Sequence, residues 1–389
     1  MIHPTARARQ RVHYADALRA LAIFAILVHH VSQTTRMSWP WRFGTLEAIG
    51  VWSVDCFFVL SGFLLGAPYL RAIRDGAALP STALFLRRRF FRIYPLYAVA
   101  VIFSLATSVE SFTIERVEAY LATHLTLTHG FVVSQAVDVN GPLWTMAIDA
   151  QFYVALPLVA GALWLVLHRR PRAARIAGTA AALAAAVAVS FVWRLVLFAH
   201  HPVAFGAFAW QVVNARNIIG TGGSFALGTA VAFALERPGA RRRATAIVAV
   251  LAGVGALLVL VDALPATNTT PWVQASYDLL GAASGALLLY GFLAGAAPSF
   301  DAVVASPFVE ASAALAYAVY LFHTPVMLRM RPIVAPVAVA LGPPRSTFLF
   351  LAVVLGVTLP IAIAGHRWVE RPFLSIRDRN REAAAVTAP

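Results

Sequence analysis

Residues 15–35 read ADALRALAIFAILVHHVSQTT, a stretch that is apolar enough to cross a lipid bilayer and yet contains ionisable side chains. A membrane-spanning helix needs about 20 mostly apolar residues. Asp16 and Arg19 stand near one end of this stretch, and His30 stands near the other. Ionisable residues inside a span cost about 2.5–3.5 kcal/mol on insertion scales, and they usually mark a functional site. This stretch therefore predicts both a membrane fold and a place to look for chemistry.

The composition of the whole chain fits a membrane protein. Of its 389 residues, 60% are hydrophobic and only 12% are charged, whereas soluble domains carry about 25% charged residues. A chain with so little charge cannot cover a water-exposed surface, which excludes the soluble classes. Ten stretches are candidate spans, at 15–35, 48–70, 90–107, 143–167, 176–199, 218–235, 245–263, 279–297, 311–328 and 347–366.

The sequence thus predicts an all-α, polytopic membrane helix bundle of about ten transmembrane helices. We expect a short N-terminal segment at 1–14, a transmembrane domain at 15–375 and a tail at 376–389. The longest connection, residues 108–142, is predicted to hold an amphipathic helix at the membrane interface around 115–133. No further folded domain is expected, so the transmembrane domain should act alone.

The arginines predict the orientation. Every basic residue is an arginine; 21 of them fall in segments on the side of the N-terminus, 7 fall on the opposite side and 3 lie inside helices. The positive-inside rule then places both termini in the cytoplasm. We expect the chain to lie in the plasma membrane, the inner membrane of a bacterium. The net charge of +14 comes from arginines that set the membrane topology and lie beside anionic lipid headgroups. It is therefore no evidence for a nucleic-acid partner.

The chain has one cysteine, Cys56. A single cysteine excludes an internal disulfide and gives no support for a thiol–metal site. We therefore expect no metal.

Helix geometry predicts a cationic layer. Arg19 and His30 are eleven residues apart, which puts them on one helix face and roughly 16 Å apart. Asp16 is three residues before Arg19 and can pair with it. Arg89 and Arg92 open the third predicted helix on the same side of the membrane as Arg19. Three arginines together suit an anion such as a phosphorylated cofactor.

A second predicted layer holds histidine and aspartate. Counted along their helices, His30, Asp55, Asp149 and His323 fall at one depth in the outer half of the membrane. A histidine with a carboxylate neighbour suits general-base catalysis. Each residue also has a purely structural interpretation, because interhelical hydrogen bonds use the same side chains and Arg19 can extend its charge to the interface.

Six segments around these residues form an ordered set of motifs: DALRALA at 16–22 with His30 beyond it, VDCFFVLSGF at 54–63, RFFRIYPLY at 89–97, LWTMAIDAQFY at 143–153, AYAVYLFH at 316–323 and RWVERPF at 367–373. In these segments the chain resembles the acyltransferase 3 family of integral membrane acyltransferases. The family usually has Glu where this chain has Asp149, so the reach of that carboxylate is shorter by one methylene.

The resemblance implies transfer of an acyl group, usually acetyl, from acyl-coenzyme A to a hydroxyl of a sugar, a surface glycan or a secreted small molecule such as a macrolide. It implies His30 as the base or the transient acyl carrier, with Asp55 or Asp149 orienting it. Arg19, Arg89, Arg92 and Tyr97 would bind the donor. The candidates for lining the acceptor path are Trp144, Gln151, Tyr153, Tyr320 and His323.

Two other functions use the same residue types. A proton-coupled membrane transporter also places Asp, His and Arg inside its helices, but no clear internal repeat of the kind found in transporters is present. A sensor that binds acyl-coenzyme A or lipid without turnover would have less need of His30.

Overall fold

The computed structural model describes residues 6–35, 43–108, 112–201, 207–236, 243–263, 270–342 and 345–376. Most residues in these ranges are helical, and the ranges contain no β-strand. The helices are α1 (Ala6–Thr35), α2 (Phe43–Asp75), α3 (Thr82–Thr107), α4 (Ile114–Leu125), α5 (Trp144–Leu167), α6 (Arg172–His200), α7 (Phe208–Asn214), α8 (Ile218–Leu235), α9 (Arg243–Ala263), α10 (Pro271–Leu293), α11 (Asp301–Val304), α12 (Pro307–Leu341) and α13 (Arg345–Gly365). A π-helical turn, His366–Glu370, follows α13 directly.

Ten segments of the described chain are long and apolar enough to cross a membrane, and each overlaps one of the predicted spans. They are Val12–Thr34, Ala48–Asp75, Thr82–Thr107, Gly141–Leu167, Arg172–His200, Ile218–Leu235, Arg243–Ala263, Pro271–Leu293, Pro307–Val337 and Arg345–Ile376. The predicted fold class, an all-α polytopic membrane protein with about ten spans, is confirmed. The orientation of the termini and the domain limits stay predictions, and the tail beyond residue 376 lies outside the described residues.

The boundaries of most elements differ from the prediction, as α10, α4 and the last span show. Helix α10 begins at Pro271 rather than at 279, because proline is well suited to the first turn of a helix. Helix α4 ends at Leu125 rather than near 133, since Leu127 has a φ of 59° and the chain leaves the helical region there. The last span continues past 366 through the π-helical turn.

The chain forms two compact units, each built from separate stretches. The first unit contains Met1–His30, Ser38–Leu79 and Ala155–Ala314, and the second contains Val31–Met37, Pro80–Val154 and Leu315–Pro389. The candidate site residues are therefore described unit by unit.

Small residues set the packing of the first unit. A Cβ added at Gly228 of α8 would lie 1.9 Å from the carbonyl oxygen of Val59 on α2, and one added at Gly62 of α2 would lie 2.0 Å from that of Phe225 on α8. Glycines at such a crossing allow two membrane helices to approach closely. The crossing brings α8 against the face of α2 that carries Asp55.

Tyrosine hydroxyls tie the helices of the second unit together. On α3, Tyr94 donates to the carbonyl of Leu125 and Tyr97 donates to that of His124, both at 2.9 Å. On α12, Tyr317 donates to the carbonyl of Ile93 at 2.7 Å. These bonds fix α3, which carries two of the predicted arginines, to the end of α4 and to α12.

Candidate active site

The first unit contains four charged side chains in one buried group, which we call the Asp278 cluster. It consists of Asp55 on α2, Arg194 on α6, Arg216 just before α8 and Asp278 on α10. Arg216 donates to both oxygens of Asp278, from Nε to Oδ2 at 2.9 Å and from Nη2 to Oδ1 at 3.1 Å. Arg194 donates to Oδ2 of the same carboxylate and, at 3.1 Å, to the carbonyl of Gln274. The two positive charges of the arginines equal the two negative charges of the aspartates in this cluster.

Asp55 occupies the edge of this cluster. Its carboxylate forms a hydrogen bond with Ser224 of α8 and interacts electrostatically with the other three members. Its Oδ2 lies against Gly281 of α10, where an added Cβ would be 2.5 Å away. Among the described residues this buried oxygen has no hydrogen-bond partner. Asp55 thus faces α8 and α10, and its predicted role in orienting His30 stays a prediction.

Helix α1 supplies the other predicted residues of the first unit. Arg19 Nη1 lies 2.6 Å from Asp16 Oδ1, which confirms the pairing expected from their spacing. His30 is partly buried, and its ring centroid is 5.1 Å from that of His29. His29 itself is buried against Gly50 of α2, in keeping with a packing role.

The second unit holds a comparable group, which we call the Arg92 cluster. It consists of Arg89, Arg92, Asp149, Tyr153, Tyr317, His366 and Glu370. Arg92 Nη1 lies 2.9 Å from Oε1 of Glu370, and His366 Nδ1 lies 2.8 Å from Oε2 of the same carboxylate. Glu370 is only 1% exposed, whereas the side chain of Arg92 is 32% exposed. A buried carboxylate thus holds an arginine that still reaches the surface of its unit.

Asp149 and Arg89 form the other half of the Arg92 cluster. Asp149 forms a hydrogen bond with Tyr153, one turn further along α5, and interacts electrostatically with Arg89. The Arg89 guanidinium also lies 6.0 Å from the ring centroid of Phe85. The buried Oδ1 of Asp149 has no hydrogen-bond partner among the described residues. Each predicted arginine of α3 therefore has a carboxylate nearby.

The remaining candidates of the second unit are largely buried. Tyr97 is fully buried and uses its hydroxyl on the His124 carbonyl. Tyr320 shares a hydrogen bond of 2.8 Å with Thr145 and donates to the carbonyl of Pro142 at 2.7 Å. These hydrogen bonds attach the turn before α5, and the first residues of α5, to α12.

Trp144, His323 and Gln151 complete that set. Trp144 is buried at the start of α5. His323 is fully buried, with Nδ1 2.7 Å from the carbonyl of Tyr320. Gln151 is partly buried, and its Nε2 lies 3.5 Å from where a Cβ of Gly130 would be.

Residues 12–366 match a family model described as an acyltransferase domain. The chain belongs to this acyltransferase family. The resemblance read from the six segments is confirmed, and the enzyme class expected from the sequence, an acyltransferase, agrees with it. No solved structure is significantly similar to the chain.

Curated relatives of this acyltransferase match parts of it. The peptidoglycan O-acetyltransferase OatA of Listeria monocytogenes is 29% identical over 170 residues, which is 40% of this chain and 25% of OatA. Protein 2 in the picA locus of Rhizobium radiobacter is 35% identical over 92 residues, 24% of this chain and 43% of that protein. The matched stretch is about a quarter of the length of the O-acetyltransferases.

Sequence reasoning missed three charged members of the acyltransferase's clusters. Asp278 lies one residue before the predicted eighth span, 279–297. Arg216 lies in a predicted loop between spans, and Glu370 lies within the segment RWVERPF, for which the sequence predicts no role. In each case the available signal was an ionisable residue next to an apolar run. Within the described chain, no group of three or more His, Cys, Asp or Glu side chains could hold a metal ion.

Proposed function

We propose that the protein is a membrane O-acyltransferase that moves an acyl group, acetyl in the first instance, from acyl-coenzyme A to a hydroxyl of an acceptor. The observation that carries this proposal is the family match over residues 12–366. The named relatives add support, because OatA is described as an O-acetyltransferase.

The proposed donor ligands are arginines. Arg89 and Arg92 are one helical turn apart on α3, so their side chains share a face. Coenzyme A carries several phosphates, and guanidinium groups bind phosphate oxygens with paired hydrogen bonds. Arg92 suits this task because its side chain is about a third exposed while one nitrogen is held by Glu370. Arg19 and Tyr97 stay candidates for the same donor.

The proposed catalytic residue is His30. A neutral imidazole removes the proton of the acceptor hydroxyl as its oxygen attacks the thioester carbonyl. The new C–O bond forms, the C–S bond breaks, and the proton is returned to the leaving thiolate, so that coenzyme A leaves as a thiol. In the alternative route the acyl group passes transiently through His30. Asp55 or Asp149 would hold the charge that develops on the imidazole.

The proposed setting is the plasma membrane, the inner membrane of a bacterium, with both termini in the cytoplasm. This orientation is supported by the excess of arginine on one side of the spans. The acceptor would be a sugar, a surface glycan or a secreted small molecule such as a macrolide.

The test is release of coenzyme A from acetyl-coenzyme A by the purified protein in detergent. His30→Ala should abolish release while the protein still elutes as a folded species, and His200→Ala, an exposed histidine at the end of α6, serves as its control. Arg92→Ala should raise the KM for the donor, whereas Arg87→Ala, an exposed neighbour on α3, should leave KM unchanged.

Wild-type turnover by His30→Ala would show that this histidine has no catalytic role. Absence of release by the wild type, with acetyl and longer donors and with glycan and macrolide acceptors supplied, would count against the acyltransferase proposal as a whole. Proton-coupled solute uptake by vesicles without any acyl donor would then support the transporter.

A further inference from the structure

The turn that closes the last span is docked against α3 at three points. A Cβ added at Gly365 would lie 2.9 Å from Cδ1 of Leu96. The ring of Phe373 stacks on that of Phe91, with centroids 6.2 Å apart. Between these contacts, Glu370 forms its ion pair with Arg92. The turn and the residues on either side of it therefore contact α3 immediately before Arg92, at Arg92 and one helical turn after it.

The backbone of this turn is unusual. His366–Glu370 is a π-helical turn, a form that occurs mostly as single insertions in α-helices and frequently at functional sites. Within it, His366 and Glu370 are close enough for Nδ1 to lie 2.8 Å from Oε2. One carboxylate oxygen is thereby held by the turn itself, and the other is left for Arg92.

Glu370 contacts only part of the Arg92 guanidinium and leaves its other nitrogens for a ligand. A guanidinium is planar and carries five N–H donors in a fixed fork. Oε1 of Glu370 lies 2.9 Å from one nitrogen, Nη1, as an ion pair without a hydrogen bond. This charge contact holds one end of the planar group in place, and the donors at its other end can bind an anion.

We propose that Glu370 is a positioning residue for the acyl donor: it orients the Arg92 guanidinium toward the donor's phosphate, and His366 keeps the carboxylate in place. This inference rests on the proposed function. It gives the C-terminal turn a part in donor affinity, with no contact to the reacting atoms. If the carboxylate merely competed with phosphate for Arg92, its removal would lower the KM for the donor. If it positions Arg92, its removal raises that KM.

The experiment measures coenzyme A release against acetyl-coenzyme A concentration for the full-length protein. Glu370→Gln keeps the shape of the side chain and removes its charge. We expect the KM for the donor to rise about tenfold, the lower end of the loss seen when groups that orient metal ligands are removed, with kcat within about twofold. Glu310→Gln, an exposed acidic residue on α12, is the matched control and should leave both constants unchanged.

A double-mutant cycle tests whether Glu370 acts through Arg92. If it does, Glu370→Gln combined with Arg92→Ala should be no worse than Arg92→Ala alone, because interacting residues are not additive. Additive losses, an unchanged KM or a lower KM in Glu370→Gln would each overturn the positioning role. Should Glu370→Gln fail to fold, Glu370→Asp takes its place: it keeps the charge but shortens the side chain by one methylene, which moves the carboxylate away from Arg92, and it must show the same rise in KM.

Direct binding of radiolabelled acetyl-coenzyme A separates this inference from the proposed function. If the wild type neither binds the donor nor releases coenzyme A, the proposed function fails. If the wild type binds and Glu370→Gln binds with equal affinity, only the positioning role fails.

Discussion

Removing the carboxylate of Asp278 should be among the most damaging single changes in this protein. Asp278 accepts hydrogen bonds from Arg194 and from Nε and Nη2 of Arg216. Arg194 and Asp278 are buried in the first unit, and the side chain of Arg216 is only 15% exposed. Asp278→Ala leaves two arginines against the single carboxylate of Asp55. Breaking a buried ion pair by removing one partner costs about 3–5 kcal/mol, because an uncompensated charge stays buried.

The measurement is the free energy of unfolding in detergent micelles, compared with an exposed pair in the same protein. Asp75 pairs with Arg74 at 2.8 Å, and its side chain is 46% exposed. Asp75→Ala should therefore cost less than about 1 kcal/mol.

A second variant isolates the charge effect from the loss of packing. Replacing Arg194 by Met together with Asp278 by Leu removes one charge of each sign and leaves Arg216 with Asp55. Because a buried ion pair can be exchanged for apolar residues at little cost, this double variant should be more stable than Asp278→Ala. The reasoning is refuted if Asp278→Ala lies within about 1 kcal/mol of the wild type, or if the double variant is the less stable of the two.

Two further predictions concern stability. Burial, with a smaller contribution from His129, lowers the pKa of His124 from 6.5 to about 3. Between these two pH values His124 is protonated in the unfolded chain but neutral in the folded protein. The free energy of unfolding should therefore fall as pH drops from about 6.5 toward 3, by at most about 1.4 kcal/mol per pH unit. His124→Phe should flatten that pH dependence in an unfolding titration, and an unaltered slope would show that His124 does not cause it. Gly228→Ala should cost about 1–3 kcal/mol, since its Cβ would meet the Val59 carbonyl at 1.9 Å. Gly161→Ala, which would have no atom within 4 Å, should be neutral or slightly stabilising, and equal effects of the two changes would contradict the close crossing of α2 and α8.

The spans were predictable because the bilayer imposes a length and a composition on each of them. All ten predicted stretches overlap a candidate span of the structure, and one of them, 218–235, coincides with it. The pairing of Asp16 with Arg19 was predictable as well, because both lie on one helix and the spacing alone brings them together. Local geometry was sufficient in both cases.

The partners of the other charges depend on contacts between helices far apart in the chain. Arg194 and Asp278 are separated by 84 residues, and Arg92 and Glu370 by 278. Counting residues along a helix gives the depth of a side chain but not the neighbour that it faces. Asp55 illustrates this: its predicted depth was compatible with His30, whereas its observed contacts are on α8 and α10.

The pairing of each cationic residue with a carboxylate changes how the predicted cationic layer would work. A cluster of isolated arginines would hold a coenzyme A anion tightly before and after the reaction, and equal binding of substrate and product does not speed turnover. In the structure Arg92 is paired with Glu370, Arg89 interacts with Asp149, and Arg19 is paired with Asp16. Each carboxylate would fix the direction of its arginine, as proposed for Glu370 and Arg92. The arginines would then bind the donor's phosphate in one defined orientation rather than act as a set of unoriented positive charges.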